Sequence, residues 1–563
     1  MKFSQMPYER PNFEVAEGKF RELLTKFKDA GSAEECFTAY KEIDEYSLHV
    51  ASMFNLAYIR NSLDMTDEFY AAEKEYSDEV EPKLQAVKQE LIQAMLTSPY
   101  RKDMEAAWGS LMFLNAEIEL KTFKPEIVPD LQEENRLTTE YDKLIASAQI
   151  EFDGKTLTLS QIRPYMQHKD RAVRKAAYEA IGTWFLGHGD KLDGLYDEMV
   201  KLRTSIAQKL GYEKFTELGY YRRQRNCYDA DMVAKFREGV KEYIVPVVMR
   251  LKEEQAARIG EKFPLKVYDE RLMYLDGNPT PKGTPEEIFE HGRKMYHELS
   301  ADTAEFFDFM VDNELFDVAT RPGKMVGGYC HTIPIYKSPY IFANFNGTAG
   351  DIDVLTHEAG HAYAAYVAQR NIYPSPLWDY SSETAEIHSM AMEFFAWPWM
   401  EGFFKEDTAK YRHSHLAEAL TFLPFGVAVD EYQHHIYDNP QMTPAERNEY
   451  WLSLEAKYCP WTNLEDTPFY NEGRRWHSQM HIFVIPFYYI DYTLAQIVAL
   501  AFWAEDQKDH AVAWEKYRKL VSFAGTKTFV ELVEDAGLAT PFVSENLKIV
   551  ADAAVAWLDG QKK

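Results

Sequence analysis

Two histidines four residues apart, with a glutamate beside the first, constrain this chain more than any other feature. They stand in the run His357-Glu358-Ala359-Gly360-His361. On an α-helix, positions i and i+4 share a face, so both imidazoles can reach one metal ion. Glu358 points off that seam, where it can act on a water beside the metal instead of binding the metal. The flanks also read as helix. Asp351 and Asp353 are acidic cap candidates ahead of an apolar lead-in. The run Ala362-Tyr363-Ala364-Ala365-Tyr366-Val367-Ala368 is helix-forming and largely apolar. Two histidines in so apolar a helix are expected to be buried, and buried imidazoles need partners.

Zinc at a catalytic site takes three protein ligands and leaves one position for water. Ala364 and Val367 stand where a metzincin has Gly and His, so that pattern fails. The acidic alternatives lie on a second predicted helix over 381–395, which opens with serine cap candidates. Pro374 and Pro376 mark the turn before it. Glu383, Glu386 and Glu393 are the candidates. Glu386 and Glu393 stand two turns apart on one face, and Glu383 one turn before Glu386. The pattern favours Glu386 as the third ligand and Glu393 as the acceptor for one histidine's other ring nitrogen. Glu383 suits a cap or a solvent-facing role. His388 lies about 200° around the helix from Glu386 and suits packing.

The motif, with Gly360 in its fourth place, resembles the thimet oligopeptidase and oligoendopeptidase F family of zinc metallopeptidases, in its oligoendopeptidase F-like branch. In that family the third ligand is a Glu on the next helix, 29 residues after the first His; here 386 − 357 = 29. The resemblance covers most of the chain from about residue 200 onward. It includes Gly327-Gly328-Tyr329, Ala343-Asn344-Phe345-Asn346-Gly347, and the segment from His481 to Tyr492. It implies a histidine and closely spaced tyrosines that face the zinc and stabilise the tetrahedral intermediate. Tyr489 and Tyr492 match that spacing. His481 fits with a one-residue slip, which leaves His477 as a rival.

The implied fold is mainly α, with a zincin-type catalytic region, a small β-sheet and a helical N-terminal region. Two halves would enclose a deep channel with zinc on its floor, open to short unfolded peptides. The implied activity is that of an intracellular oligoendopeptidase with one Zn²⁺ per chain, held by His357, His361 and Glu386. Glu358 would be the general base. Gly328, Tyr329, Ala343, Asn344 and Phe345 would bind substrate. A dipeptidyl carboxypeptidase or a carboxypeptidase could use the same zinc site. Physical chemistry supports the donor roles independently. Attack of water on a peptide carbonyl builds charge on oxygen, and a phenol or imidazolium can donate to it.

Organisation along the chain suggests a helical region over 1–200, with a β-hairpin near 150–159, and a catalytic region over 201–563. Asp153-Gly154 is the hairpin turn. Ala343 to Asn346 is a candidate edge strand on which an extended peptide could pair. The apolar stretch from Ile482 to Trp503, interrupted by Asp491 and Gln496, reads as one buried helix too broken to span a bilayer. Arg474 and Arg475 are candidates to catch a substrate carboxylate. With 90 acidic against 62 basic residues, the net charge of −28 argues against nucleic acid and anionic membranes as partners. Four scattered cysteines suggest no disulfide framework. The first ten residues lack the apolar core of a signal peptide, so a cytoplasmic location is expected.

Overall fold

The computed structural model describes residues 1–321, 323–325 and 327–561. It is mainly α-helical, and its contacts group into two units, each assembled from three stretches of chain. One unit comprises Met1–Leu120, Thr280–Thr408 and Glu505–Leu538; the other comprises Lys121–Pro279, Ala409–Ala504 and Ala539–Lys563. This grouping follows contacts in space, whereas the division expected at residue 200 follows helical pattern and the reach of the family resemblance along the chain.

The first unit opens with helices Phe13–Lys28, Ala33–Leu63 and Glu68–Thr97. Asn12, Ser32 and Asp67 cap them by accepting first-turn N–H groups. Leu23, Phe27, Tyr40, Ile43, Ile92 and Trp108 form a core among these helices and those that follow.

A three-stranded sheet stands beside the metal-motif helix. Its middle strand, Ser338–Phe345, runs parallel to Phe316–Ala319 and antiparallel to Tyr329–Ile333. The expectation that Ala343, Asn344 and Phe345 form an open edge is therefore corrected: they lie in the middle strand. Six consecutive residues of that strand, Ser338 to Ala343, are buried. Such burial on both faces belongs to a central strand. Lys324 ties the preceding loop to the sheet. Its buried ammonium donates to Asp317 Oδ1 at 2.7 Å, Ala319 O at 3.0 Å and Ala343 O at 2.5 Å.

In the second unit the expected hairpin forms from Ile150–Phe152 and Lys155–Leu157, with Asp153 and Gly154 both at positive φ. Helices Arg171–Gly187 and Gly189–Leu210 meet at His188. The stretch Ile482–Trp503 is corrected from one helix to two. Met480–Val484 ends before Pro486, and Tyr489–Asp506 begins after a turn. Phe487 occupies φ +64° in that turn. No helix among the described residues is long and apolar enough to cross a membrane.

Candidate active site

The motif helix, Gly350–Asn371, begins below a tight loop. Asp351 does not cap the helix. Its carboxylate turns back to accept Asn346 N at 2.8 Å and Gly347 N at 2.7 Å, fixing the loop that leaves the middle strand. Further along the same helix, His357 and His361 sit on one face with ring centroids 4.9 Å apart.

The second helix, Ser382–Phe395, packs on the first. The approach is close at Gly360. A Cβ there would stand 2.4 Å from His388 O and 2.7 Å from Ser389 Cα. Any side chain would force the two backbones apart, so the glycine sets the depth at which Glu386 reaches the histidines. The sequence showed the glycine but not this reason for it, which depends on a backbone 28 residues downstream (388 − 360).

Glu386 Oε2 lies 3.3 Å from His357 Nε2 and 3.6 Å from His361 Nε2. The three donor atoms all fall within 4.8 Å of one another. Tetrahedral neighbours around zinc, with bonds of about 2.0–2.1 Å, stand roughly 3.3 Å apart. Two imidazoles and one carboxylate, with no thiolate among them, also make a donor set that catalytic zinc accepts. The residues therefore fit such an ion.

Supporting groups surround the triad. Glu393 Oε1 is 2.7 Å from His357 Nδ1, which leaves Nε2 facing Glu386. Ser389 Oγ donates to Glu386 Oε2 at 3.0 Å. In the sequence, only its place three residues after Glu386 marks Ser389 for this contact. Burial opposes charge on His357, yet Glu386 and Glu393 together outweigh it and hold this ring well above the usual histidine value. Burial pushes His361 down to about 4, so it is neutral and able to ligate.

Glu358 is buried, and its Oε2 has no hydrogen-bond partner among the described residues. Burial pushes its carboxyl up to about 7, with the positive His357 opposing. A dication at the triad would draw it down again. Gly328 lies beside it: a Cβ on Gly328 would stand 3.8 Å from Glu358 Oε1 and 3.3 Å from Phe342 O.

Tyr329 begins the strand that pairs, among the described residues, only with the middle strand. Its ring stacks on Phe342 at 4.8 Å. Gly328 and Tyr329 thus stand at the start of the sheet's outer strand, with Gly328 beside Glu358. Asn344 supports that edge from within, donating to Met325 O and Gly327 O at 2.9 Å each.

Glu383 is buried, which corrects the expected solvent-facing role. His388 is buried with its ring edge-on to Tyr380 at 4.6 Å. Neither of its ring nitrogens has a partner among the described residues, and burial pushes it down to about 3.

The second unit holds the remaining candidates. His481 lies 4.9 Å from the Tyr489 ring and 5.8 Å from Tyr492. His477 is elsewhere, buried with Nε2 at 2.8 Å from Asp193 Oδ1. The structure thus gathers His481, not its rival, with the two tyrosines. The turn at Phe487 holds this cluster. Phe487 N donates to Gln433 Oε1 at 2.8 Å, its carbonyl accepts Arg225, and Arg225 also pairs with Asp491 at 2.9 Å. Gly219 makes room for the Phe487 ring, which a Cβ would meet at 2.5 Å.

Comparison with known proteins gives this geometry a family. A family model described as the peptidase M3 N-terminal domain matches residues 3–123, and one described as peptidase family M3 matches residues 164–551. No curated protein matches. Among solved structures, PZ peptidase A with an inhibitor is 48% identical, with 99% of each chain covered and a TM-score of 0.95. A second, assigned as an oligoendopeptidase F, is 48% identical over 99% of each chain, with a TM-score of 0.94. A third, assigned likewise and from Bacillus anthracis str. Ames, is 47% identical over 100% of this chain and 99% of that one, with a TM-score of 0.90. A family match over most of the chain, with relatives of this identity, makes it an oligoendopeptidase F-like peptidase belonging to peptidase family M3.

Proposed function

We propose that this peptidase is a zinc-dependent oligoendopeptidase that cuts internal bonds of short, unfolded peptides inside the cell. The observation that carries this reading is the convergence of His357, His361 and Glu386 within 4.8 Å, beside a buried Glu358. His357, His361 and Glu386 would hold the ion. A bound zinc ion supplies Lewis acidity toward a water and toward the scissile carbonyl.

The chain's own groups do the rest. Glu393 keeps the proton on His357 Nδ1 and so presents Nε2 as a ligand. Glu358 accepts the proton of the attacking water and passes it to the departing amine. The strand edge at Tyr329, opened by Gly328, suits an extended peptide pairing through its backbone. Tyr489, Tyr492 and His481 are assigned to donate hydrogen bonds to the developing oxyanion, a role supported by the family resemblance and by their clustering. Four free cysteines suit a reducing compartment.

The test is mass spectrometry of products from a terminally blocked peptide of about nine residues, a length that fills an extended-strand site, with and without a chelator. Internal cleavage that the chelator abolishes and zinc restores is expected. Products released only from peptides with a free C-terminus would replace the proposal with a carboxypeptidase or dipeptidyl carboxypeptidase.

A further inference from the structure

The second unit contains a cavity of about 570 Å³ whose composition runs against that of the chain. Five cationic side chains line it, Arg163, Lys252, Arg258, Arg271 and Arg475, against two acidic ones, Glu270 and Glu418. The whole chain has the opposite balance, with 90 acidic and 62 basic residues. A cationic wall in an acidic protein therefore has a local cause.

The cations are only partly neutralised: Glu270 and Glu418 act on Lys252, and Glu455 and Glu270 on Arg475. Among the described residues, only Arg475 of the five has a carboxylate at ion-pair distance, Glu455 Oε1 at 3.2 Å. Lys252 is buried and donates to neutral acceptors, Gln255 Oε1 at 3.0 Å and Glu270 O at 3.3 Å. Arg258 Nε donates to Met273 O at 2.6 Å, while its Nη2 is buried without a partner. The Arg163 side chain has no hydrogen bond or ion pair among the described residues. Arg163, open to solvent, has Arg271 as a like-charged neighbour. Burial pushes Arg258 and Lys252 below their usual values. Concentrated positive charge in a concave wall focuses its field and favours an anion there.

The cavity also touches the proposed machinery. Tyr489 lines it, beside Phe422 and Phe425, and the Tyr489 ring is 4.9 Å from His481. Its volume is that of a site for a ligand of several residues' side chains. We propose that this cavity receives a carboxylate of the peptide substrate, either its C-terminus or an acidic side chain. The inference rests on the peptidase reading and adds a preference that net charge alone would reverse, since a chain at −28 repels acidic peptides at long range.

Three matched nine-residue peptides decide it: one neutral and blocked at both ends, one with a free C-terminus, and one blocked but with an internal Glu. Each carries a fluorophore and is titrated into zinc-loaded Glu358→Gln protein, with anisotropy as the readout. At least one carboxylate peptide is expected to bind about tenfold more tightly than the neutral one, the worth of one charge-assisted hydrogen bond. Which one does so identifies the source of the carboxylate. The advantage should shrink as salt rises from about 0.05 to about 0.5 M. It should vanish in Arg163→Gln/Arg271→Gln, whose altered side chains are exposed and leave the core intact. Equal binding of all three peptides, or an advantage that survives the double replacement, overturns the proposal. Cleavage by the unaltered enzyme is scored separately. If none of the three is cut, the oligoendopeptidase reading fails, while the binding titrations still decide the cavity.

Discussion

The candidate metal triad and the tyrosine cluster are built by opposite means. The triad uses two regular helices. His357, His361, Glu386, Ser389 and Glu393 take their places from helical spacing alone, and one glycine sets the distance between the helices. The cluster of His481, Tyr489 and Tyr492 depends on a broken helix. A phenylalanine at φ +64° aims it; Gln433 and Arg225, drawn from two other places in the chain, hold that turn, and Arg225 also pairs with Asp491 of the cluster's own helix. Left-handed backbone at a bulky residue is costly and persists only where its surroundings over-determine it. Regular spacing makes a rigid ligand set cheaply, whereas aiming two phenols from one helix end takes tertiary support.

The comparison predicts that damage to the two regions separates by what is lost. Glu358→Gln, in the first region but off the metal seam, should lower kcat by between about 10²- and 10⁴-fold. Its zinc content, by elemental analysis, should stay at that of the parent. Substantial turnover by the zinc-loaded variant would remove Glu358 as the base. Tyr489→Phe and Tyr492→Phe should each lower kcat by about 10²- to 10³-fold, the worth of one oxyanion donor, with zinc affinity unmoved. A change confined to KM would recast these tyrosines as binding groups.

Gly360→Ala sharpens the contrast from the other side. The new methyl would meet His388 O at 2.4 Å, so the helix carrying Glu386 must move. Overpacking of this kind costs about 1–3 kcal/mol of stability. Thermal unfolding should shift down and zinc affinity fall together, because one displacement causes both. Unaltered zinc affinity in a destabilised variant would show that the close approach serves packing alone.

The two regions also differed in how far the sequence disclosed them. The motif helix and the second helix followed from periodicity, because helical geometry converts sequence separation directly into direction; the choice of Glu386 rested on the 29-residue spacing that the family resemblance implies. The hairpin at Asp153-Gly154 was legible because its turn chemistry is local. What escaped was set by partners distant in sequence. Nothing local marks Phe487 for positive φ, since its support comes from Arg225 and Gln433. Whether Ala343 to Phe345 lies at an edge or in the middle depends on Phe316–Ala319, a strand outside the segment being read. Glu383 looked like a surface carboxylate because the surroundings that bury it are not encoded in its own helix.

Glu393→Gln carries the smallest expected effect and the most specific one. Losing a carboxylate behind a ligating histidine costs about 10- to 100-fold in metal affinity. The pH dependence distinguishes this from a general loss of structure. In the metal-free chain burial lowers His357, but Glu386 and Glu393 together raise it well above the usual value, so near neutral pH the ring holds a proton that zinc must displace. Zinc affinity of the parent should therefore rise with pH, about tenfold per unit for one displaced proton, until the metal-free His357 has lost it. Glu393 favours that proton as it favours the metal. In Glu393→Gln the proton leaves at lower pH, so the rise levels off earlier and at a weaker final affinity. The gap between parent and variant should accordingly be widest at high pH and narrow as pH falls. Competition titrations against a chelator of known zinc affinity, run across that range, measure it directly. A gap of constant width would mean that Glu393 orders the two helices without touching the charge on His357.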